Sequence, residues 1–247
     1  MDSRRLHSTV DMLKMVDSAW VTDWVVEKLL SGALFAEEWV PMVNGISTSV
    51  RDELLNRAIT ENLTEMRIPG VIPLLRRFAD HEAVQRLFRC LCDLVPVIAA
   101  SKPGDDKKAE ADLGRQLENL LREMSPALAI EGILDEMDGK TDAVAMKAIG
   151  EIFHSVGRSG TALREALPDP VRERFRSYLK SGMETVLTQD DPHGQTKAHF
   201  ATVLAQVGDV SDLPELERLV EADLVRYRTE RAVRMAASQR PRRRRNP

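Results

Sequence analysis

Apolar residues recur along most of the chain at spacings of three and four positions, the period of a helix that buries one face. No segment alternates apolar and polar residues as a half-buried strand requires. The pattern therefore predicts an all-α protein in which each apolar stripe faces the core. The clearest stripes are Val84, Leu87, Phe88 and Leu91; Leu113, Leu117, Leu120, Leu121 and Met124; Ala145, Ala148, Ile149, Ile152, Phe153 and Val156; Val171, Phe175, Tyr178, Leu179 and Val186; Phe200, Val203, Leu204 and Val207; and Leu213, Leu216, Val220, Leu224 and Tyr227.

Residues that start and stop helices stand at the ends of these stripes. Asp80 precedes a helix predicted to begin at His81, and an aspartate at this position can cap the first turn. Proline is tolerated in the first helical turn, where its missing N–H costs little. Cap residues in front of such prolines are predicted in Ser125–Pro126 and Asp169–Pro170, and helix ends at Gly139, Gly157 and Gly208.

One phrase occurs twice, as RIPGVIPLLRRF at 67–78 and as DLPELERLVEAD at 212–223. In each copy an amphipathic helix ends, a polar turn follows and a proline opens the next helix. One such helix pair cannot bury its apolar faces alone, whereas stacked pairs bury a continuous core. The repetition predicts antiparallel helix pairs stacked in series.

The segment QTKAHFATVLAQVGDVSDLPELERLVEAD at 195–223 resembles a HEAT-type repeat, with a helix, a Gly-Asp turn and a second helix opened by Leu-Pro. The segment at 49–80 is similar but has no glycine in its turn. The resemblance implies a HEAT-like α-solenoid, a right-handed superhelix of antiparallel helix pairs. More loosely, the chain resembles the helical-repeat sensor regions associated with bacterial signal-transduction NTPases.

These patterns divide the chain into a helical-repeat domain at 1–238 and a basic, unstructured tail at 239–247. The polar segment at 101–112 contains proline and glycine, and is expected to be either a hinge or a longer surface loop. The charge is uneven. From Arg226 onward the chain carries +8, whereas the preceding 225 residues carry −12, within a net charge of −4.

The basic C-terminus is the strongest sign of a binding role. Its arginines are suited to phosphates, to anionic lipid or to an acidic protein surface. A solubilising tail, or a strap lying on the acidic body, explains them equally well. No aromatic residues interleave the terminal arginines, so base stacking is not supported. The candidate residues are Arg226, Arg228, Arg231 and Arg234 on the final helix, and Arg242, Arg243, Arg244 and Arg245 in the tail.

Trp20 and Trp24 form a second candidate for partner binding. They are four residues apart and share one face of a helix. Tryptophans in this arrangement either pack in the core of a first repeat or form an exposed anchor for a partner protein.

Motifs for phosphate binding, metal binding and catalysis are incomplete. The tripeptide Gly139-Lys140-Thr141 lacks the earlier glycine of a P-loop, because Leu134 stands there, so it is interpreted as a helix end followed by a new start. Glu151 and His154 form a single E-x-x-H, whereas di-iron bundles need two.

His193 and His199 are six residues apart, which fits poorly with one face of a helix, and Cys90 and Cys92 point in different directions. The sequence therefore predicts no catalytic, cofactor-binding or metal-binding residues and no cofactor, and we expect a protein that is not an enzyme.

The expected function is a non-catalytic protein–protein interaction scaffold, or a sensor or regulatory module, with a protein partner. The alternative is nucleic-acid binding by a basic face, in the manner of HEAT-type DNA-repair glycosylases, with Arg76, Arg77, Arg86 and Arg89 as a candidate stripe. The first residues lack the features of a signal peptide, no apolar run is long enough to span a membrane, and cysteine is scarce. These features predict a cytoplasmic location.

Overall fold

The structure is a computed structural model that describes residues 23–24, 26–27, 52–53, 80–99, 108–156, 163–189, 195–222 and 224. Among these residues there are helices and turns but no strands, which confirms the all-α prediction. None of the helices in these ranges combines the length and the apolar character that crossing a membrane requires. Contacts within the chain divide it into two compact units, Met1–Gly139 and Lys140–Pro247.

The first unit contains α1 (His81–Ala99), α2 (Lys108–Glu123) and α3 (Pro126–Met137). The second contains α4 (Ala143–Phe153), the short α5 (Leu163–Ala166), α6 (Asp169–Thr188) and α7 (Gln195–Val207). A 3₁₀ turn at Val210–Asp212 follows, and α8 occupies 213–222. In the segment at 101–112, predicted to be a hinge or a longer surface loop, residues 108–112 belong to α2, and 101–107 lie outside the described residues.

The core of the first unit forms where α1 packs against α2 and α3. The predicted stripes at 84–91 and 113–124 are buried, and each fully buried Leu or Phe contributes about 1.5–3 kcal/mol of transfer free energy. Gly132 brings α3 close to α1, because a Cβ there would lie 2.6 Å from Val84 Cγ1. At the surface, the Arg89 guanidinium donates two hydrogen bonds of 2.7 Å to the Glu136 carboxylate.

The second unit packs α4 against α6 and α7, and α6 against α7. Phe153 and Phe175 meet edge to face in its core, with ring centroids 5.7 Å apart and an interplanar angle of 67°. The stripes predicted on α6 and α7 are buried, as is the stripe on α4 except for the half-buried Val156. The inward faces of these helices were therefore predictable from spacing alone.

The helix starts agree with the sequence in two of three cases. Asp80 caps α1, since its Oδ1 accepts a 3.0 Å hydrogen bond from the Ala83 N–H. Ser125 holds the cap position before Pro126, although its side chain makes no capping hydrogen bond. Asp169, predicted as a cap, is instead the first helical residue of α6. The cap is Pro168, whose carbonyl accepts the first helical hydrogen bond, from Arg172.

The end of α3 confirms the interpretation of Gly139-Lys140-Thr141. Asp138 has a φ of 44° and donates its N–H to the Leu134 carbonyl, and Gly139 follows with a φ of 77°. Such left-handed residues end helices. Asp142 then caps α4 through a 2.8 Å hydrogen bond from the Ala145 N–H.

The residues after Gly139 are tied to α6. The Tyr178 hydroxyl donates a 2.7 Å hydrogen bond to the Lys140 carbonyl, and the Thr185 hydroxyl donates one of 3.0 Å to the Thr141 carbonyl. Tyr178 is buried, and the Lys140 carbonyl provides the hydrogen-bond acceptor that water would provide for an exposed hydroxyl. These contacts give the segment a structural role.

The second copy of the repeated phrase has the local structure that its sequence predicts. The helix α7 ends at Val207, Gly208 and Asp209 form the turn, and α8 begins after the 3₁₀ turn. The first copy, at 67–78, lies outside the described residues. Its structure, and the stacking of helix pairs into a superhelix, stay predictions.

Candidate functional site

Three side chains with metal-binding chemistry meet between α4 and α7. Glu151 lies on α4, His154 directly follows that helix, and His199 lies on α7. One potential ligand atom from each lies within 4.8 Å of the others. The two imidazole rings are stacked, with centroids 3.8 Å apart and an interplanar angle of 9°. We refer to these three residues as the histidine cluster.

A glycine allows the two helices to approach at this point. A Cβ placed on Gly150 would lie 3.3 Å from His199 Cβ and 3.6 Å from the Phe200 backbone nitrogen. The first distance is tighter than most Cβ contacts and the second is ordinary packing, so a side chain here would require His199 to move by a few tenths of an ångström. Gly150 therefore lets α4 and α7 pack closely beside the stacked histidines.

Backbone carbonyls fix the orientation of His154. Its Nδ1 lies 3.1 Å from the Gly150 carbonyl oxygen and 3.0 Å from that of Glu151. Since a carbonyl only accepts, Nδ1 carries the proton and the neutral ring has its lone pair on Nε2. Burial, together with the neighbouring His199, lowers the pKa of His154 below the ordinary value of 6.5. The neutral ring is therefore favoured.

The Nδ1 atom of His199 is buried and makes no hydrogen bond. It lies 3.3 Å from Glu151 Oε2, but the two atoms lack hydrogen-bond geometry. Both side chains are half-buried, with 22% of His199 and 25% of Glu151 exposed. The cluster thus combines two imidazoles and one carboxylate, of which one imidazole nitrogen is buried without a hydrogen bond.

The E-x-x-H spacing in the sequence indicates Glu151 and His154 but not His199 as their neighbour. Helical spacing along one segment relates Glu151 only to His154, and His199 belongs to a different helix. The E-x-x-H itself was the available signal. The position of His199, the third residue of the histidine cluster, depends on how α4 packs against α7. Local spacing does not specify this packing.

A second polar cluster, of ionic contacts, joins α6 to the turn before α8. The Asp212 carboxylate is fully buried and accepts hydrogen bonds from Arg176 Nε at 2.6 Å and from Arg176 Nη2 at 2.8 Å. Lys180 Nζ adds a third, at 3.0 Å. Hydrogen bonds to Arg176 hold the pKa of Asp212 well below its usual range. This cluster anchors the turn.

The ionic contacts between α6 and α8 also determine which face of α8 is buried. Glu215 contacts Lys180 at 3.1 Å, and Leu219, one helical turn further along, is buried. The sequence assigned the inward face to the stripe that begins at Leu213, and that assignment was wrong. Exposed fractions are 80% for Val210, 51% for Leu213, 51% for Val220 and 46% for Leu224. We refer to these four residues as the exposed apolar face.

The arginines proposed as a basic stripe pair with acids where the structure describes them. Arg86 contacts Glu82 at 2.7 Å, and Arg89 binds both carboxylate oxygens of Glu136. Carboxylates beside these guanidinium groups offset the positive potential that phosphate binding needs. Arg76 and Arg77 lie outside the described residues.

The remaining sequence candidates are mostly outside the described residues. Trp24 is a half-buried helical residue, and Trp20 lies outside. Also outside are His193 and the arginines Arg226, Arg228, Arg231, Arg234, Arg242, Arg243, Arg244 and Arg245.

Burial raises the pKa of the Cys90 thiol to about 12, so this cysteine is a weak nucleophile at neutral pH.

Comparison of the chain with family models, curated proteins and solved structures gave no match.

Proposed function

We propose that this chain is a non-catalytic protein–protein interaction module, a scaffold or sensory unit built from HEAT-like helix pairs, which docks a partner on its exposed apolar face. The observation that supports the proposal is the exposure of Leu213, Val220 and Leu224 along α8 and just beyond it. The outward face of a solvent-exposed helix is normally polar. A row of exposed apolar side chains is a typical feature of a protein-binding surface.

The charges beside this face suggest the kind of partner. Glu217 and Glu221 are exposed on the same helix. An amphipathic helix with a Leu- or Met-rich face and flanking lysines or arginines matches both the apolar residues and the acidic rim. We therefore propose a basic amphipathic helix as the docked element.

Nucleic-acid binding is the less supported function. Its described candidate arginines, Arg86 and Arg89, already contact carboxylates. The face formed by α8 is apolar with acidic neighbours, which would repel phosphate.

The proposal is tested by photo-crosslinking in the host cell. A photoreactive amino acid is placed at Val220, and at Arg174 as a control on an exposed polar position of α6. We expect one defined adduct from position 220 and none from position 174. Adducts that contain only a second copy of this chain, or equal labelling from both positions, would contradict a specific hetero-partner.

The partner identified in this way is then titrated against the purified full chain. We expect Val220→Glu and Leu213→Glu to weaken binding at least about 30-fold, the effect of losing an interface hot spot. Both residues are about half exposed, so neither change should lower the melting temperature appreciably. The control Arg174→Glu should change the affinity by less than about threefold. Unchanged affinity in both apolar variants would exclude this face as the docking surface.

A further inference from the structure

We propose that Glu151, His154 and His199 bind a divalent transition-metal ion of the zinc class at the interface of α4 and α7. This site is independent of the exposed apolar face and departs from the expectation of a metal-free protein. Two imidazoles and one carboxylate form a donor set suited to Zn²⁺, Co²⁺ and Ni²⁺. Three protein ligands would leave a coordination position for water.

The donor atoms are already close. One potential ligand atom of each residue lies within 4.8 Å of the others, whereas ligands bonded to tetrahedral zinc at about 2.0–2.1 Å are about 3.3 Å apart. Binding would require the side chains to rotate inward to close this difference. Because a metal lies in the plane of the imidazole that binds it, the parallel rings of His154 and His199 must splay on binding. Loss of the ring stack is therefore a structural consequence of the proposal.

The hydrogen bonds made by His154 resemble those of a metal-bound histidine. A metal-bound histidine usually donates its other ring N–H to a carbonyl or carboxylate, which fixes the tautomer. His154 Nδ1 donates to the Gly150 and Glu151 carbonyls, so Nε2 is the nitrogen that could coordinate a metal. The Gln206 amide also donates, at 3.3 Å, to the His154 carbonyl, and links α7 to the end of α4.

The buried nitrogen of His199 is the second observation. Its Nδ1 has no hydrogen bond and lies 3.3 Å from Glu151 Oε2. Buried polar atoms in folded proteins are nearly always satisfied, by protein, water or a bound ion. A metal bound between His199 and Glu151 would give this buried nitrogen a partner.

The experiment uses the full chain, freed of metal by dialysis against a chelator. Titration with ZnCl₂ is followed by calorimetry, and titration with CoCl₂ by visible d–d absorption, which reports the coordination geometry. We expect one Zn²⁺ per chain and a Co²⁺ spectrum of four- or five-coordinate type. In histidine NMR spectra, the resonances of His154 and His199 should shift while those of His81 stay in place.

Variants separate this site from adventitious binding. We expect His154→Ala and His199→Ala to weaken binding by more than about 100-fold, since losing an outer-shell partner alone costs about 10–100-fold. Glu151→Gln nearly preserves shape and should weaken binding at least about tenfold without unfolding the protein. The matched control is His81→Ala, because His81 also lies near two acids, at 3.4 Å from Glu131 and 3.7 Å from Asp135, on an exposed surface.

Circular dichroism confirms that each variant is folded before titration. The proposal is overturned if no saturable binding occurs, or if Glu151→Gln and His199→Ala bind like the parent. It is also overturned if His81→Ala abolishes binding. In those cases the stacked histidines are packing residues at the edge of the core.

Discussion

Arg176 on α6 and Asp212 before α8 form a two-point ion pair, with Nε–Oδ2 and Nη2–Oδ1 distances of 2.6 and 2.8 Å. The carboxylate is fully buried, whereas 15% of the arginine side chain is exposed. Removing the aspartate would take from Arg176 its two-point partner and leave it with Asp209 at 3.0 Å and Glu173 at 3.4 Å. The pair is therefore important both for stability and for the orientation of α8.

Asp212→Ala is expected to lower the free energy of unfolding by about 2–3 kcal/mol. This is below the cost for a fully buried pair, because the remaining arginine is partly exposed and still contacts Asp209. Chemical denaturation measures the change. The control is Glu173→Ala, which removes an exposed carboxylate 3.4 Å from the same guanidinium, and we expect a loss of less than about 0.5 kcal/mol. Equal losses from the two variants would show that burial of Asp212 has no special role.

The same pair predicts sensitivity to acid. The pKa of Asp212 in the folded protein lies well below the unfolded value of 3.8, so the unfolded chain binds more protons between the two values. The Asp212 carboxylate therefore stabilises the folded protein fully above pH 3.8. This contribution to stability is lost as the pH falls from 3.8 toward the pKa of Asp212 in the folded protein. The difference in unfolding free energy between wild type and Asp212→Ala should therefore shrink below about pH 4. Urea titrations from about pH 5 to pH 2.5 measure this difference. If the difference in unfolding free energy between the two proteins stays constant over that range, the prediction is wrong.

Replacing a helical glycine with alanine should destabilise the protein to a different extent at Gly132 and at Gly182. A Cβ at Gly132 would meet Val84 Cγ1 at 2.6 Å and Val84 Cβ at 2.7 Å, and the branched side chain cannot move without shifting α1. At Gly182 a Cβ would meet the end of Met146, a flexible side chain that can rotate away.

We expect Gly132→Ala to destabilise the protein by about 1–3 kcal/mol despite the better helix propensity of alanine. Gly182→Ala should cost less than half as much, and thermal unfolding compares the two. A larger loss from Gly182→Ala would mean that Met146 is held more rigidly than Val84.

The histidine cluster should make the stability of the metal-free protein depend on pH in a second range. The pKa of His154 is lowered by burial and by His199, while Glu151 opposes the shift. Since the folded pKa lies below 6.5, the unfolded chain binds more protons in that interval, and stability falls as the pH drops below about 6.5.

His154→Gln should reduce this dependence. We expect a smaller difference in melting temperature between about pH 7.5 and pH 5.5 in the variant than in the wild type. The buffer contains a chelator so that no bound ion contributes. If the two proteins lose equal stability on acidification, another histidine is responsible.

Much of the architecture followed from the sequence. The stripes on α1, α2, α6 and α7, the cap at Asp80 and the helix end near Gly139 were all predictable, because they depend on neighbours within a few residues. The cap predicted at Asp169 was wrong by one position. Proline was expected to follow the cap, whereas Pro168 supplies the cap itself.

The sequence by itself determined the helical character of the residues that the structure describes and the inward faces of most of their helices, since a period of 3.6 residues is a local property of the backbone. Tertiary structure decided the orientation of α8 and the meeting of His154 with His199. In α8 two faces carried apolar residues, and the ion pairs of Asp212 and Glu215 with α6 selected the one that contains Leu219. Contacts between distant segments made both choices, and the spacing of residues within one helix carries no information about such contacts.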